Sequence, residues 1–362
     1  MNRKAPPELP PLYAHVQPGL EPVAADEVTR DLGGEVKKTV RGSVIFRAAP
    51  IDEEILHVRT MEDVFLLAWG SDSLAYKAAD LKLITQWTAK TKWDALFKIH
   101  AAVRPKPKGK PTYHIVTQMQ GEHGYRRVDA KDALKEGLKG KIPAHWVPVD
   151  EDAYLEIWLT IQGQTATCGV RLTDRTMRHR TYKTDHIEAS LRPTVAAAMV
   201  RLAGAAPGMI VLDPFCGAGT ILAEQCELAR QRRAGEVRVI GIDLDPQALY
   251  CTGENLRKLG KPELLRADAR KLPLATGCVD RIISNPPFGE KILTPVDISP
   301  LYKAAAWEWN RVLKPGGRAV LLVAEIDVLR DALKPYPWAC TRQLKVRVLG
   351  QQAVLSVWNR AE

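Results

Sequence analysis

Apolar and polar positions change rhythm along the 362-residue chain, and each change predicts a different kind of structure. LYAHVQ (Leu12 to Gln17) alternates as a short strand and is followed by a Pro18-Gly19 turn. LEPVAADEVTRDL then repeats its apolar residues at helical spacing and stops at Gly33-Gly34. Two strands flank the turn at Gly42, which completes a small β-α-β-β unit ending at Arg47. Ile51 to Leu83 reads as mainly helical, with apolar residues at Ile55, Val58, Val64, Phe65, Leu67 and Ala68. RPKPKGKP (Arg104 to Pro111) interleaves Lys with Pro and Gly, which forbids a helix or a central strand and predicts an exposed basic loop. A strand (YHIVTQM), a turn (GEHG), a helix from about Asp129 and two more strands (YLEIWLTIQ and TATCGVRL) predict an α+β segment, and a basic linker runs on to about Asp185. From Ile187 the texture becomes apolar strands alternating with helices: MIVLDPF, VRVIGIDL, LLRADA, RIISNPPF and RAVLLVAE, then a closing β pair. That alternation predicts a doubly wound sheet, parallel at its centre and covered on both faces.

Composition narrows the class. A hydrophobic share of 46% and a charged share of 26% match ordinary globular proteins and exclude collagen-like, coiled-coil and disordered chains. The first residues carry no apolar targeting segment, and no stretch approaches the roughly 18 uncharged apolar residues of a membrane span, so a cytoplasmic protein with no membrane partner is expected. Six scattered cysteines without a CxxC pair predict neither a disulfide framework nor a metal site. The net charge of +10 is concentrated. Lys77 to Lys141 holds fifteen Lys/Arg against six Asp/Glu, and Arg171 to Lys183 five against one, which suits a polyanionic partner. Lys106, Lys108, Lys110, His123, Arg126, Arg127, Arg178 and Arg180 are the candidates for phosphate contact; an ordinary solvated surface is the competing reading for each.

The chemistry gathers at the strand ends of the last 175 or so residues. VLDPFCGAGTILAE places Asp213 at a strand tip, then Phe215, Gly217 and Gly219 in a loop, then Thr220 at the head of a helix. Such glycines let the backbone approach a ligand, although a tight turn with no ligand is the alternative, and the third glycine of the dinucleotide fingerprint is absent. GIDLD puts Asp243 and Leu244 at the next tip, where a carboxylate suits ribose hydroxyls; Asp245 before Pro246 reads as a helix cap. RADA offers Asp268 and Ala269 after the third strand. SNPPFGE follows the fourth. There Asn285 adds an amide acceptor, Pro286 and Pro287 stiffen the turn and lack N–H groups, and Phe288 offers a flat apolar face. Together they suit a planar base whose exocyclic amino group is held toward an electrophile.

At these residues the chain resembles the class I S-adenosylmethionine-dependent methyltransferases with an [DN]PP[FYW] loop, whose ordered pattern is met by Asp213, Asp243, Asp268 and Asn285; RVLKPGG looks like their turn into the fifth strand. The resemblance implies that Asp213, Phe215, Gly217, Gly219, Thr220, Asp243, Leu244, Asp268, Ala269 and Asn285 bind S-adenosyl-L-methionine. It also implies that Asn285, Pro286, Pro287 and Phe288 hold the target base, and that Cys216 is a small buried residue rather than a nucleophile. Residues 12–47 look like a ferredoxin-like unit, and Tyr113 to Leu138, with GEHGYRR, resembles a THUMP domain, an RNA-binding module. The implied fold is α/β, with a C-terminal Rossmann-like methyltransferase sheet (187–362) preceded by N-terminal α+β ferredoxin-like (1–50) and THUMP (51–172) domains and a basic linker (173–186). This order is that of the tRNA guanine-N2-methyltransferases acting on the acceptor-stem region, with nucleotide 6 favoured and nucleotide 10 an alternative. The implied partner is tRNA, with no metal and a monomer favoured. A 23S rRNA guanine, a DNA amino group, a protein glutamine, or a non-catalytic RNA-binding factor with a relic fold are the readings left open.

Overall fold

The computed structural model describes residues 9–185, 187, 190–233, 235–287, 295–348 and 350–362, with the backbone alone at 295–297. The chain divides into two compact units. One comprises the residues up to His15, Ala25–Val58 and Asp63–Asp174; the other comprises Val16–Ala24, Arg59–Glu62 and Arg175–Glu362.

Along the first part of the chain run β1 (Leu12–Val16), α1 (Glu21–Asp31), β2 (Glu35–Val40), β3 (Ser43–Arg47), a 3-10 turn (Glu53–His57), β4 (Met61–Ser71), α2 (Ala79–Lys90), α3 (Trp93–Val103), β5 (Thr112–Gln120), α4 (Arg127–Gly137), β6 (Val147–Pro148), β7 (Leu155–Gln162) and β8 (Thr165–Arg171). The strands form one sheet in the order β2-β3-β1-β4-β8-β7-β5-β6. The expectation of a mainly helical 51–83 is corrected by β4, an eleven-residue strand between β1 and β8 that pairs antiparallel with β8. Val64, Phe65 and Leu66 are consecutive and all fully buried, which a strand achieves only where both faces of the sheet are covered. On one face Tyr13 stacks on Phe65 with centroids 4.6 Å apart, and Trp158 meets the Phe65 ring edge-on at 5.6 Å. Beside them Arg171 donates to buried Asp63 at 2.6 Å and to Glu156 at 3.1 Å, so the charge it brings into the sheet is matched.

The second part contains α5 (Thr176–His179), α6 (Pro193–Ala203), β9 (Ile210–Asp213), α7 (Thr220–Gln231), β10 (Arg238–Asp243), α8 (Pro246–Leu256), β11 (Glu263–Arg266), β12 (Val279–Ser284), α9 (Pro295–Val312), β13 (Leu313–Val323), α10 (Ile326–Leu333), β14 (Trp338–Val348) and β15 (Gln351–Arg360). Its sheet has the order β11-β10-β9-β12-β13-β15-β14. The first five strands in that order are parallel, and β15 runs antiparallel to both of its neighbours. This is the expected doubly wound sheet with its closing β pair. Tyr302, Ala305, Ala306 and Trp309 form a fully buried stripe on α9 at i, i+3, i+4 and i+7, and they belong to one core with Leu212, Ile282 and Leu321 of the sheet. From β9 the chain passes to β10 on one side, while β12 pairs on the other. The carboxyl ends of β9 and β12 therefore flank the topological switch point, where open α/β sheets bind ligands.

Candidate active site

Parallel pairing of β9 with β12, with Ile282 opposite Leu212, brings the two strand tips together. Ser284 donates its hydroxyl to Asp213 Oδ1 at 2.7 Å, and the Phe215 N–H donates to the same oxygen at 3.1 Å. Asp213 is only 1% exposed. Burial pushes its carboxyl up to about 7; Ser284 and Phe215 oppose that shift and the nearby Asp243 charge adds to it. Ser284 is a site residue that sequence reasoning missed. Its only signal was its place directly before Asn285.

The loop after Asp213 is shaped by two glycines. Gly217 and Gly219 have φ of 53° and 72°, and a Cβ on Gly219 would stand 2.6 Å from Thr252 Cγ2, so only glycine fits there. The Gly217 N–H donates to Asp243 Oδ2 at 2.9 Å, while Asp243 Oδ1 accepts from the Asp245 N–H at 3.0 Å. Asp245 in turn caps α8, accepting from the Gln247 N–H with Pro246 at the first helical position, as its sequence context predicted. From α8, Thr252 donates to the Gly217 carbonyl at 2.7 Å and Asn255 to the Ala218 carbonyl at 2.9 Å. Neither was expected from the sequence, which carries no local signal for them. Cys216 is buried, and burial, with Asp213 and Asp243 nearby, raises its thiol pKa well above the ordinary value, which suits packing rather than nucleophilic chemistry.

The tip of β10 is tied to the next strand by an Ala267 N–H to Asp243 carbonyl bond of 3.2 Å, which sets Asp268 and buried Ala269 on the same edge. Arg270 grips both Asp268 oxygens through Nε and donates through its second nitrogen at 2.6 Å; these hydrogen bonds hold the Asp268 carboxyl below its ordinary pKa. Leu244 is 58% exposed beside Asp243. Thr220 is buried at the head of α7, whose Gly219 cap supplies no side-chain acceptor.

After β12, Asn285 is half-buried, and its Oδ1 is enclosed with no hydrogen-bond partner among the described residues. A buried acceptor left unpaired costs about 1–3 kcal/mol, so an N–H donor brought to it would gain a hydrogen bond that no described residue supplies. Pro286 is buried, and the Pro287 carbonyl accepts from the hydroxyl of fully buried Tyr302 at 3.2 Å, which anchors the loop to α9. Tyr302 also escaped the sequence reading. Phe288 lies outside the described residues. The donor set fits S-adenosylmethionine: it comprises a tight glycine loop, the carboxylate of Asp243, and an exposed apolar Leu244 beside that carboxylate.

The basic candidates separate. Lys106, Lys108 and Lys110 are exposed in the loop before β5. His123 is half-buried, with Nδ1 3.2 Å from the Gly121 carbonyl and Nε2 3.0 Å from that of Gly163. Arg126 is exposed at the head of α4 and pairs with Asp129 at 3.1 Å; Arg127 is exposed beside it. Arg178 is half-buried. Arg180 departs from the expectation of an RNA contact: it is 9% exposed, and its guanidinium is consumed by Glu224 at 3.0 Å and by the Met177 and Arg59 carbonyls. Glu224, fully buried on α7, also receives Arg59 at 2.6 Å and the Tyr182 hydroxyl at 2.7 Å. Burial alone would raise its carboxyl, but Arg180 and Arg59 hold it below its ordinary pKa.

Residues 180–353 match the UPF0020 family, an RMKL-like methyltransferase domain. The chain is 31% identical over 333 residues to a tRNA (guanine(6)-N2)-methyltransferase of Thermus thermophilus, covering 90% of this chain and 92% of that protein. The crystal structure of TrmN from Thermus thermophilus superposes with a TM-score of 0.77 at 29% identity, covering 97% of this chain and 99% of that one. A human U6 snRNA (guanine-N(2))-methyltransferase, THUMPD2, is 38% identical over 175 residues, which are 47% of this chain and 32% of that protein. The similarity to the Thermus enzyme runs through both halves of the chain, and the fold class matches the sequence expectation. The chain belongs to the tRNA guanine-N2-methyltransferase family.

Proposed function

We propose that the protein methylates the exocyclic N2 of a guanosine in tRNA, at nucleotide 6, using S-adenosyl-L-methionine. The target is read from similarity to relatives named for that specificity; the chemistry rests on one observation, the enclosed Oδ1 of Asn285 at the tip of β12, which has no hydrogen-bond partner among the described residues. When bound, S-adenosylmethionine supplies an electrophilic methyl group on a positively charged sulfur. Gly217, Gly219 and Asp243 would hold it, with Asp213 placed to pair with its amino group and Leu244 against its adenine. Arg270 already grips the Asp268 carboxylate, so Asp268 would meet the adenine as an ion-paired acceptor.

Asn285 Oδ1 and the Pro286 carbonyl accept hydrogen bonds from the two N2 protons and turn the nitrogen lone pair toward the methyl carbon. The bound cofactor would supply the methyl group for a new carbon–nitrogen bond and leave as a neutral thioether, and Asn285 and the Pro286 carbonyl would face the positive charge that N2 gains. Acceptors that bind this charge more strongly than the neutral amine lower the barrier. The charged amine is acidic enough to pass its proton to water without a dedicated base, and no covalent enzyme intermediate is required. Tyr302 keeps the loop in place through the Pro287 carbonyl, and Phe288 is assigned to stacking on the base.

The target nucleotide has to leave its stack at a cost of a few kcal/mol, offset by phosphate contacts elsewhere. For those contacts we assign Lys106, Lys108, Lys110, His123, Arg126, Arg127 and Arg178, with 1–50 as the ferredoxin-like domain, 51–172 as THUMP and 173–186 as linker. Arg180 is left out, since its burial commits it to Glu224. Asn285→Ala tests the mechanism. Methyl transfer to tRNA should fall about a hundred- to a thousandfold, the scale of losing a transition-state donor or acceptor, while S-adenosylhomocysteine still binds. Equal loss of transfer and binding would place Asn285 in cofactor binding or folding instead.

A further inference from the structure

Asn255 stands one helical turn after Thr252 on α8 and is 2% exposed. Its amide oxygen accepts from the N–H groups of Thr184 and Asp185, both at 3.0 Å, and its amide nitrogen donates to the Asp185 carbonyl at 3.1 Å and the Ala218 carbonyl at 2.9 Å. All four hydrogen-bonding capacities of the side chain are used, two as acceptor and two as donor. Asp has no donors, and Gln is a methylene longer, so neither reproduces the set. The partners lie on two segments. One is the glycine loop, where Thr252 already fixes the Gly217 carbonyl. The other is the stretch leading into α6, pinned on its near side by Arg180 and Tyr182 on Glu224 and closed on its far side by Lys183, which donates to the Leu191 carbonyl at 2.8 Å. From this stretch Ile187 reaches the loop, with Cδ1 3.4 Å from where a Cβ on Gly217 would stand.

We propose that Asn255 is a positioning residue for methyl transfer: it locks the stretch bearing Thr184, Asp185 and Ile187 onto the glycine loop, so that cofactor affinity depends on both segments. This rests on the reading of the glycine loop as the S-adenosylmethionine site. A peptide plane is rigid, so fixing the carbonyls of Gly217 and Ala218 from α8 fixes the orientation of the loop's peptide units as well. The loop then meets its ligand already ordered, and the ordering cost is met in folding rather than in binding. A residue that only supported the fold would instead lower stability and leave the affinity of the folded protein alone.

The test uses the full-length protein, with Asn255→Asp, Asn255→Ser and Ile187→Ala. Asn255→Ser removes the amide without placing a charge opposite carbonyl oxygens, and it carries the test where the Asp variant does not fold. In the ligand-free protein, the amides of Thr184 and Asp185 should exchange hydrogen about tenfold faster in Asn255→Ser, which loses their amide acceptor, whereas Asn255→Asp keeps that acceptor and loses only the two donated hydrogen bonds. By calorimetry the dissociation constant for S-adenosylhomocysteine should rise about tenfold, the scale of one or two lost hydrogen bonds. KM for S-adenosylmethionine should rise in parallel, with kcat at saturation and tRNA affinity within about threefold of the wild type. Ile187→Ala should weaken S-adenosylhomocysteine binding without speeding exchange at Thr184 and Asp185. Wild-type binding with unchanged affinity in folded Asn255 variants overturns the assignment of Asn255. Failure of the wild-type protein to bind S-adenosylhomocysteine overturns the reading of the loop itself.

Discussion

Replacing Asp213 by Asn should make the ligand-free protein more stable above neutral pH while weakening its affinity for S-adenosylhomocysteine. In the fold the Asp213 carboxyl titrates near 7 rather than at its ordinary 3.8, because burial penalises the charge more than Ser284 and Phe215 stabilise it. A folded-state pKa above the unfolded one contributes stability that is fully present below the unfolded value and is lost as pH rises through the folded one. The gap from 3.8 to about 7 corresponds to about 4 kcal/mol lost across the whole window. Between about pH 5.5 and pH 8 the part still to be lost is about 2 kcal/mol. Asn has no proton to lose and keeps an oxygen for the Phe215 N–H, so its advantage over Asp should grow by that amount across the same interval. Urea unfolding of both proteins at the two pH values measures this, and taking the difference cancels every other titrating group. An advantage that does not change with pH would mean that Asp213 ionises in the fold as it does in the unfolded chain, contrary to the effect of its burial. Affinity should move the opposite way. An ionised Asp213 is the form that pairs with an ammonium group, so wild-type binding of S-adenosylhomocysteine should strengthen as pH rises through about 7, and the Asn variant should show no such dependence.

Two further perturbations probe the N-terminal half. His100 on α3 is fully buried, neither ring nitrogen has a partner among the described residues, and burial followed by the Arg104 charge lowers its pKa to about 4. Below about 6.5 the unfolded chain binds a proton that the fold refuses, so this site should cost up to about 3 kcal/mol of stability as pH falls toward 4. His100→Leu should remove that loss at a cost under about 1 kcal/mol at neutral pH, because no hydrogen bond is broken; unfolding curves near pH 5 and pH 7 check both parts. Replacing Lys106, Lys108 and Lys110 together by Ala should weaken tRNA binding and reduce its log-log salt slope by about 2, and an unchanged slope would remove the loop from the footprint.

The C-terminal architecture was legible because its signals are local. Buried strands with carboxyl-end motifs at Asp213, Asp243, Asp268 and Asn285 follow one another in the order the sheet requires. The strand β4 was not legible. VFLLAW is a continuous apolar run, which fits a buried strand and a buried helix equally, and only its pairing with Phe65 opposite Arg171 decides between them. Charge counting failed at Arg180 for a related reason. Its partner Glu224 lies 44 positions away, and Arg59 reaches the same carboxylate from 165 positions away, so a basic stretch in the sequence becomes a buried ion cluster in the fold. Ser284, Tyr302, Thr252 and Asn255 act by orienting Asp213, Pro287 and the glycine loop, and such roles exist only once the strand tips and helices have been brought together.

Incubating the purified protein with S-adenosylmethionine and an unmodified tRNA transcript, then digesting the RNA and mapping the product by mass spectrometry, identifies base, atom and nucleotide in one experiment. The expected result is N2-methylguanosine at nucleotide 6 with the wild-type protein and a hundredfold or greater loss of initial rate with Asn285→Ala, about the scale of one lost transition-state hydrogen bond. Methylation of another base, or undiminished methylation by the Asn285 variant, would contradict it.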